Sequence, residues 1–298
     1  MFEGLNVAMV TPFTRNGEIN EDKIREQVRF HLAVGTDGLV PCGTTGETPT
    51  FSREEHRRVI EVVVDEAKGR AKVIPGTGTN STTQTIANTL MAKEAGADAA
   101  LVVTPYYNKP TQAGLIRHFT MVAEETGFPI MMYNVPGRTA VNLLPETVGR
   151  LSEIENIVAV KEASGDISQM ADVIQHAGHN LTVLSGDDSM TMPLMAIGGK
   201  GVVSVVGNFL PHGMLELIRA AEAGDWNRAK DWHYRMFNIS NAMFFETNPA
   251  PVRTAMNLLG WEMGEVRPPL APMAPANVEK LKAAMKAYGP IPQYQAVT

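Results

Sequence analysis

Cysteine is nearly missing: Cys42 is the only one in 298 residues. A single thiol excludes an intramolecular disulfide and any zinc site built from several cysteines. The seven histidines are scattered, and His176 and His179 flank Gly178 at an expected helix end. No metal is expected. A dominant charge is lacking as well. The 26 basic and 32 acidic residues leave a net charge of −6, and without a basic stripe to displace counterions no nucleic-acid partner is expected. No apolar run approaches the roughly 20 residues of a membrane span. The opening MFEGLNVAMVTPF has neither the basic nor the apolar stretch of a secretion signal. The expectation is a cytoplasmic protein with no membrane partner. Two glycine-rich fingerprints also fail. Gly76-Thr77-Gly78 is followed by Ser81 where a dinucleotide-binding turn needs a third glycine, and Gly198-Gly199-Lys200-Gly201 lacks the rest of a P-loop. No cofactor is expected.

What the chain does have is alternation. Short apolar runs, rich in β-branched residues, fall at 6–10, 38–41, 72–75, 99–103, 130–133, 157–160, 181–184 and 201–205. Near-continuous hydrophobicity suits parallel strands buried on both faces. Between them, 22–33, 53–68, 82–95, 111–126 and 167–176 carry helical spacing. Ser52 and Glu55 form a capping box, and Gly96, Gly127 and Gly178 stand as stops. Eight strand–helix alternations predict an α/β protein, a (β/α)8 TIM barrel, with an open sheet as the alternative. After about residue 225 the pattern changes. Stretches 226–238, 248–259 and 276–288 read as helices, and 267–275 holds four prolines. The expected organisation is a catalytic barrel over 1–225 and a C-terminal helical region over 226–298.

In such barrels the functional groups sit at the C-terminal ends of the strands. Here those ends carry Thr11, Gly43-Thr44-Thr45-Gly46-Glu47, Gly76-Thr77-Gly78, Thr104-Pro105-Tyr106-Tyr107, Tyr133-Asn134, Lys161-Glu162 and Gly186-Asp187. Lys161 closes an apolar run. Burial disfavours the charged form of an amine, and the neutral amine attacks a carbonyl to give an imine. A structural ion pair with Glu162 or Asp187 is the alternative. Tyr133 could pass protons to the intermediate, with Thr45 and Tyr107 extending a hydroxyl chain; core packing with a satisfied hydroxyl is the commoner use of a buried tyrosine. Gly43–Glu47 has the composition of an anion-binding nest, or of a capped loop before the next helix. Arg138, in a Pro-Gly loop, suits bidentate carboxylate recognition or plain solvation.

Gly43-Thr44-Thr45-Gly46-Glu47, Thr104-Pro105-Tyr106-Tyr107, the stretch from Tyr133 to Thr139 (YNVPGRT) and the stretch from Lys161 to Gly165 (KEASG) occur in one order at barrel-like spacing. Together they resemble the pyruvate-dependent Schiff-base lyases, the family of dihydrodipicolinate synthases and N-acetylneuraminate lyase, over essentially the whole chain. The resemblance implies that Lys161 forms the Schiff base with pyruvate. Tyr133 would relay protons through Thr44 or Thr45 to Tyr107, which in the family reaches into a neighbouring subunit. Thr44 and Thr45 would hold the pyruvate carboxylate, Gly186 and Val203 would shape the pocket, and Arg138 would receive the carboxylate of aspartate-semialdehyde. Sialic-acid lyases lack an arginine at that place and begin the nest Gly-Ser-Thr, so the resemblance favours a lysine-pathway synthase and a homotetramer. It also implies an allosteric lysine site at His56, Asn80, Gln84 and Tyr106. Sensitive relatives carry glutamate where this chain has Gln84, so weak or absent lysine feedback is expected. Two other readings stay open: a sugar-acid aldolase or dehydratase with the same lysine chemistry, and a non-catalytic barrel that only binds a keto acid.

Overall fold

In the computed structural model, which describes residues 2–293, the eight apolar runs are eight parallel strands. They are β1 (Gly4–Ala8), β2 (Gly38–Val40), β3 (Lys72–Val73), β4 (Ala100–Val103), β5 (Ile130–Asn134), β6 (Ile157–Glu162), β7 (Thr182–Ser185) and β8 (Gly201–Ser204). Their order is β3-β2-β1-β8-β7-β6-β5-β4. The ring closes between the two outer strands, where Asp98 N–H donates to Val73 O at 2.9 Å and Leu101 N–H to Pro75 O at 2.8 Å. The regular part of β3 is shorter than the expected 72–75 because Pro75 has no N–H to give the ladder. β6 is longer than expected and runs through Lys161 and Glu162.

Among the described residues nine α-helices accompany the strands: α1 (Glu21–Val34), α2 (Arg53–Ala67), α3 (Thr82–Glu94), α4 (Gln112–Thr126), the short turn α5 (Pro136–Thr139), α6 (Pro145–Leu151), α7 (Ile167–Ala177), α8 (Thr191–Ala196) and α9 (Pro211–Glu222). Ser52 and Glu55 make the anticipated reciprocal cap on α2. Three more helices follow: α10 (Trp226–Ala242), α11 (Ala250–Leu258) and α12 (Pro275–Tyr288). α11 starts two residues later than 248, since the ring of Pro249 disfavours helical backbone at Asn248. Residue 1 and residues 294–298, the outer ends of the two expected spans, lie outside the described residues.

Alternation along the strands divides the core. Inward residues such as Ala8, Val40, Leu101, Met131, Ala159, Leu184 and Val203 fill the barrel, and outward ones meet the helices. The outer faces of β1 and β8 share one apolar cluster with α9, α10, α11 and α12. The C-terminal helices are therefore packed on the barrel wall through a common core.

Polar contacts fasten them to the mouth as well. Glu47, within the β2–α2 loop, and Arg253 of α11 form a fully buried ion pair of 2.6 Å. Arg253 also donates to Thr11 O at 2.6 Å and to Met263 O, while the Arg267 N–H reaches the other Glu47 oxygen at 2.8 Å. Removing one partner from a buried pair strands a charge, at a cost of about 3–5 kcal/mol. Arg253→Met is expected to lower the midpoint of thermal unfolding by on the order of 10 °C. Calorimetry checks this, and a fall below about 2 °C would contradict the pair's anchoring role.

Candidate active site

The site grows from an irregularity in one strand pair. Ile130 pairs with Ile157, but Met131 pairs with Ala159, so β6 carries one extra residue. A bulge of this kind shifts the alternation. It sets Tyr133 opposite Lys161, both on the barrel axis above Met131 and Ala159. Lys161 Nζ stands 4.2 Å from the centroid of the Tyr133 ring. The lysine is only 5% exposed, yet among the described residues it makes no hydrogen bond or ion pair.

The neighbouring carboxylates explain how it stays unpaired. Glu162 points to the opposite face of β6, where it is fully buried and accepts from Ser164 N–H at 2.7 Å and Asn134 Nδ2 at 2.9 Å. Burial pushes its carboxyl above the usual range, opposed by those hydrogen bonds. Burial raises the carboxyl of Asp187 too, opposed by the charge of Lys161. Neither closes an ion pair on the amine. Gly186 supplies the space beside it: a Cβ there would lie 2.5 Å from Ala163 Cβ and 3.1 Å from Lys161 Cε.

The Gly43–Glu47 loop faces this group across a cavity of about 60 Å³ lined by Thr44, Thr45, Tyr133, Arg138, Lys161 and Gly186, among others. That is room for on the order of four waters, the scale of a three-carbon acid. Two residues flanking the loop's turn, Cys42 (φ 57°) and Glu47 (φ 60°), hold the left-handed conformation that non-glycine residues avoid. Within the loop, Gly46 N–H donates to Gly43 O and Glu47 N–H to Thr44 O, each at 3.1 Å. Among the described residues the N–H groups of Thr44 and Thr45 donate to no protein acceptor. Such free N–H groups favour an anion. Burial pushes the Cys42 thiol well above its ordinary range, which leaves it inert.

Asn248 and Phe244, from the C-terminal region, also line the cavity, and the sequence offered no barrel-position argument for either. Asn248 Nδ2 donates to Thr45 Oγ1 at 2.9 Å, and its carbonyl accepts from Arg138 Nη2 at 3.2 Å. The pair Asn248-Pro249 is a turn signal in sequence, and that was its only mark.

Other expected residues fall elsewhere. Tyr107 is 89% exposed and outside the cavity, with φ at 74°. Val203 lies within the barrel packing, and Val205 rather than Val203 reaches the cavity lining. A second, larger cavity of about 490 Å³ is lined by His56, Gln84, Tyr106, Arg53 and Thr48 and shares Thr44, Tyr133 and Arg138 with the first. Asn80 is outside that lining; its carbonyl accepts from Asn108 Nδ2 at 2.8 Å. Among the described residues no group of three or more His, Cys, Asp or Glu could hold a metal, and no helix is long and apolar enough to cross a membrane.

A buried amine that no carboxylate pairs with, set beside a phenol and opposite hydroxyls, is suited to imine formation, the chemistry of lysine-dependent Schiff-base lyases on a parallel barrel. Residues 1–288 match the Dihydrodipicolinate synthetase family, and the chain belongs to that family. It is 55% identical over 289 residues to a 4-hydroxy-tetrahydrodipicolinate synthase of Geotalea uraniireducens, covering 97% of this chain and 99% of the relative. The crystal structure of dihydrodipicolinate synthase from Aquifex aeolicus superposes with a TM-score of 0.95 at 47% identity, covering 99% of this chain and 100% of that one. The chloride-inhibited enzyme from Acinetobacter baumannii, complexed with pyruvate, gives a TM-score of 0.95 at 42% identity over 97% of this chain and 99% of its own.

Gly186→Ala tests the geometry. The added methyl must displace Lys161 or Ala163, so turnover is expected to fall at least about tenfold, as for a misplacement of catalytic groups by a fraction of an ångström to one ångström. Steady-state kinetics on folded protein check it, and an unchanged kcat would contradict the tight packing of Gly186 against the lysine.

Proposed function

We propose that the chain condenses pyruvate with L-aspartate-4-semialdehyde through a Schiff base on Lys161. The observation that carries the proposal is the unpaired, buried Lys161 amine beside Tyr133 in a cavity sized for a three-carbon acid. In this reading the neutral amine adds to the keto carbon, water leaves, and loss of a methyl proton gives an enamine that attacks the aldehyde. The free N–H groups of the loop and the Thr44 and Thr45 hydroxyls hold the pyruvate carboxylate, with Gly186 giving backbone to the same pocket. Val203 supports the pocket from the layer of barrel packing. Tyr133 moves the protons, relaying through Thr44 or Thr45.

Tyr107 completes the relay from a second copy of the chain. Its high exposure supports that reading, because a tyrosine so placed serves its own cavity poorly. The resemblance extends this dimer to a homotetramer. Arg138 takes the carboxylate of the aldehyde; it lines the cavity and is steadied by the Asn248 carbonyl.

Two outcomes are expected. Borohydride reduction in the presence of pyruvate should leave a stable adduct on the peptide containing Lys161, and Lys161→Ala should lose turnover by at least roughly a thousandfold. Peptide mass mapping and kinetics check both; an adduct on another residue, or an active Lys161→Ala enzyme, would sink the proposal. Regulation gives the second test. In the larger cavity Gln84 presents an amide, hydrogen-bonded to Asn88 Oδ1 at 2.7 Å, where lysine-sensitive relatives carry a carboxylate. That loss costs a bound ammonium ~1–3 kcal/mol, a factor of ten to a hundred in affinity. Turnover is expected to persist in millimolar lysine, with Gln84→Glu strengthening inhibition; half-inhibition of the unaltered enzyme at submillimolar lysine would contradict this.

A further inference from the structure

The chemistry proposed above leaves one charged group on the cavity wall without a task. Asp187 follows Gly186 after β7 and lines the same cavity as Lys161 and Arg138. Its backbone is pinned: its N–H donates to Ser185 Oγ at 3.1 Å, and its carbonyl accepts from Ser185 Oγ at 2.7 Å and from Met190 N–H at 3.1 Å. Its carboxyl has no hydrogen bond and no ion pair among the described residues. The next residue is the contrast. Asp188 is buried and saturated by Ser204 Oγ at 2.5 Å, Val205 N–H at 3.0 Å and Val206 N–H at 2.9 Å. Of two adjacent aspartates, one holds the β8 end in place and the other faces the cavity unused.

A free carboxylate works against a site for two anionic substrates unless a cation comes with one of them. The aldehyde is such a substrate: its α-carbon bears both a carboxylate and an ammonium. Arg138 and Asp187, of opposite charge, face one cavity and do not pair with each other among the described residues. The product for which the relatives are named is a nitrogen heterocycle, so the amino nitrogen of the aldehyde must displace Lys161 Nζ from the condensed ketimine.

We infer that Asp187 binds the α-ammonium of the aldehyde and accepts its proton for ring closure, an inference that rests on the proposed condensation. The ammonium gives one proton to the Asp187 carboxylate, and the freed amine adds to the carbon of the protonated, iminium form of the ketimine. A second proton then passes from that nitrogen to Nζ, and the bond between the carbon and Nζ breaks. Lysine leaves as the neutral amine, the ring nitrogen keeps the iminium charge, and Asp187 is left as the acid, so charge and protons balance without a further reactant. Burial, which raises the Asp187 carboxyl, suits it to take a proton from an amine.

Asp187→Asn keeps the size and removes the acceptor. With pyruvate alone, borohydride should trap the Lys161 adduct in this variant to within about twofold of the unaltered enzyme. With both substrates, kcat should fall at least about tenfold, and reduction should trap a heavier adduct of pyruvate plus aldehyde on Lys161, stalled before ring closure. Asp187→Ser, read the same way, serves if the asparagine variant does not fold. Unchanged kcat, or a loss of pyruvate adduct in step with the loss of turnover, would overturn the assignment. Absence of any pyruvate adduct in the unaltered enzyme is a different result, and it would remove the condensation itself.

Discussion

The phase of β6 sets everything at the barrel mouth. A strand presents its side chains to opposite faces in turn, so one inserted residue exchanges inside for outside along the rest of its length. The irregularity between Ile130/Ile157 and Met131/Ala159 is that insertion. It turns Lys161 to the axis beside Tyr133 and sends Glu162 to the other face, where Asn134 and Ser164 occupy it. Strand alternation keeps a lysine and a glutamate that adjoin in sequence from pairing, and the insertion decides that the lysine is the one inside. An amine held that way is free to react rather than bound in a structural ion pair.

The second constraint is that the loop opposite the lysine cannot hold its own shape. Cys42 and Glu47 sit in left-handed backbone, a cost of order 1–3 kcal/mol each. The fold offsets this from a distance, through the buried Glu47–Arg253 pair and the Asn248–Thr45 hydrogen bond. The C-terminal helices are thus part of the site. They share apolar packing with β1, β8 and α9, and they brace both the loop and Arg138.

Much of this was legible in the sequence, for physical reasons that also mark where it was not. The eight strands announced themselves as apolar runs, and α1 to α4 and α7 as amphipathic stretches with proper caps. α9 carries a helical period as clear as theirs, but nothing marks its start: Pro211 begins it without a side-chain cap. α6 and α8 are short and contain glycine or proline. At the site, Lys161, Tyr133, Thr44, Thr45 and Gly186 were placed by the rule that function gathers at strand ends, Arg138 by its Pro-Gly loop beside them, and all six line one cavity. Asn248 escaped that rule because it comes from the C-terminal region, and the bulge in β6 escaped because only pairing reveals register. Tyr107 is a different case: its exposed position says nothing of its task within a single chain.

The charges at the mouth follow one scheme. In the proposed mechanism Arg138 is the cation for a substrate carboxylate, the loop supplies N–H groups for another, and Asp187 is the anion left over. Lys161 stands among them unpaired, and its proposed covalent capture of pyruvate is the step on which that mechanism depends. The most direct test is a crystal structure of the enzyme soaked in pyruvate. Continuous density from Lys161 Nζ to the keto carbon, with the carboxylate against Thr44 and Thr45, is predicted; pyruvate lying unbonded in the cavity, or bonded to another residue, would contradict it.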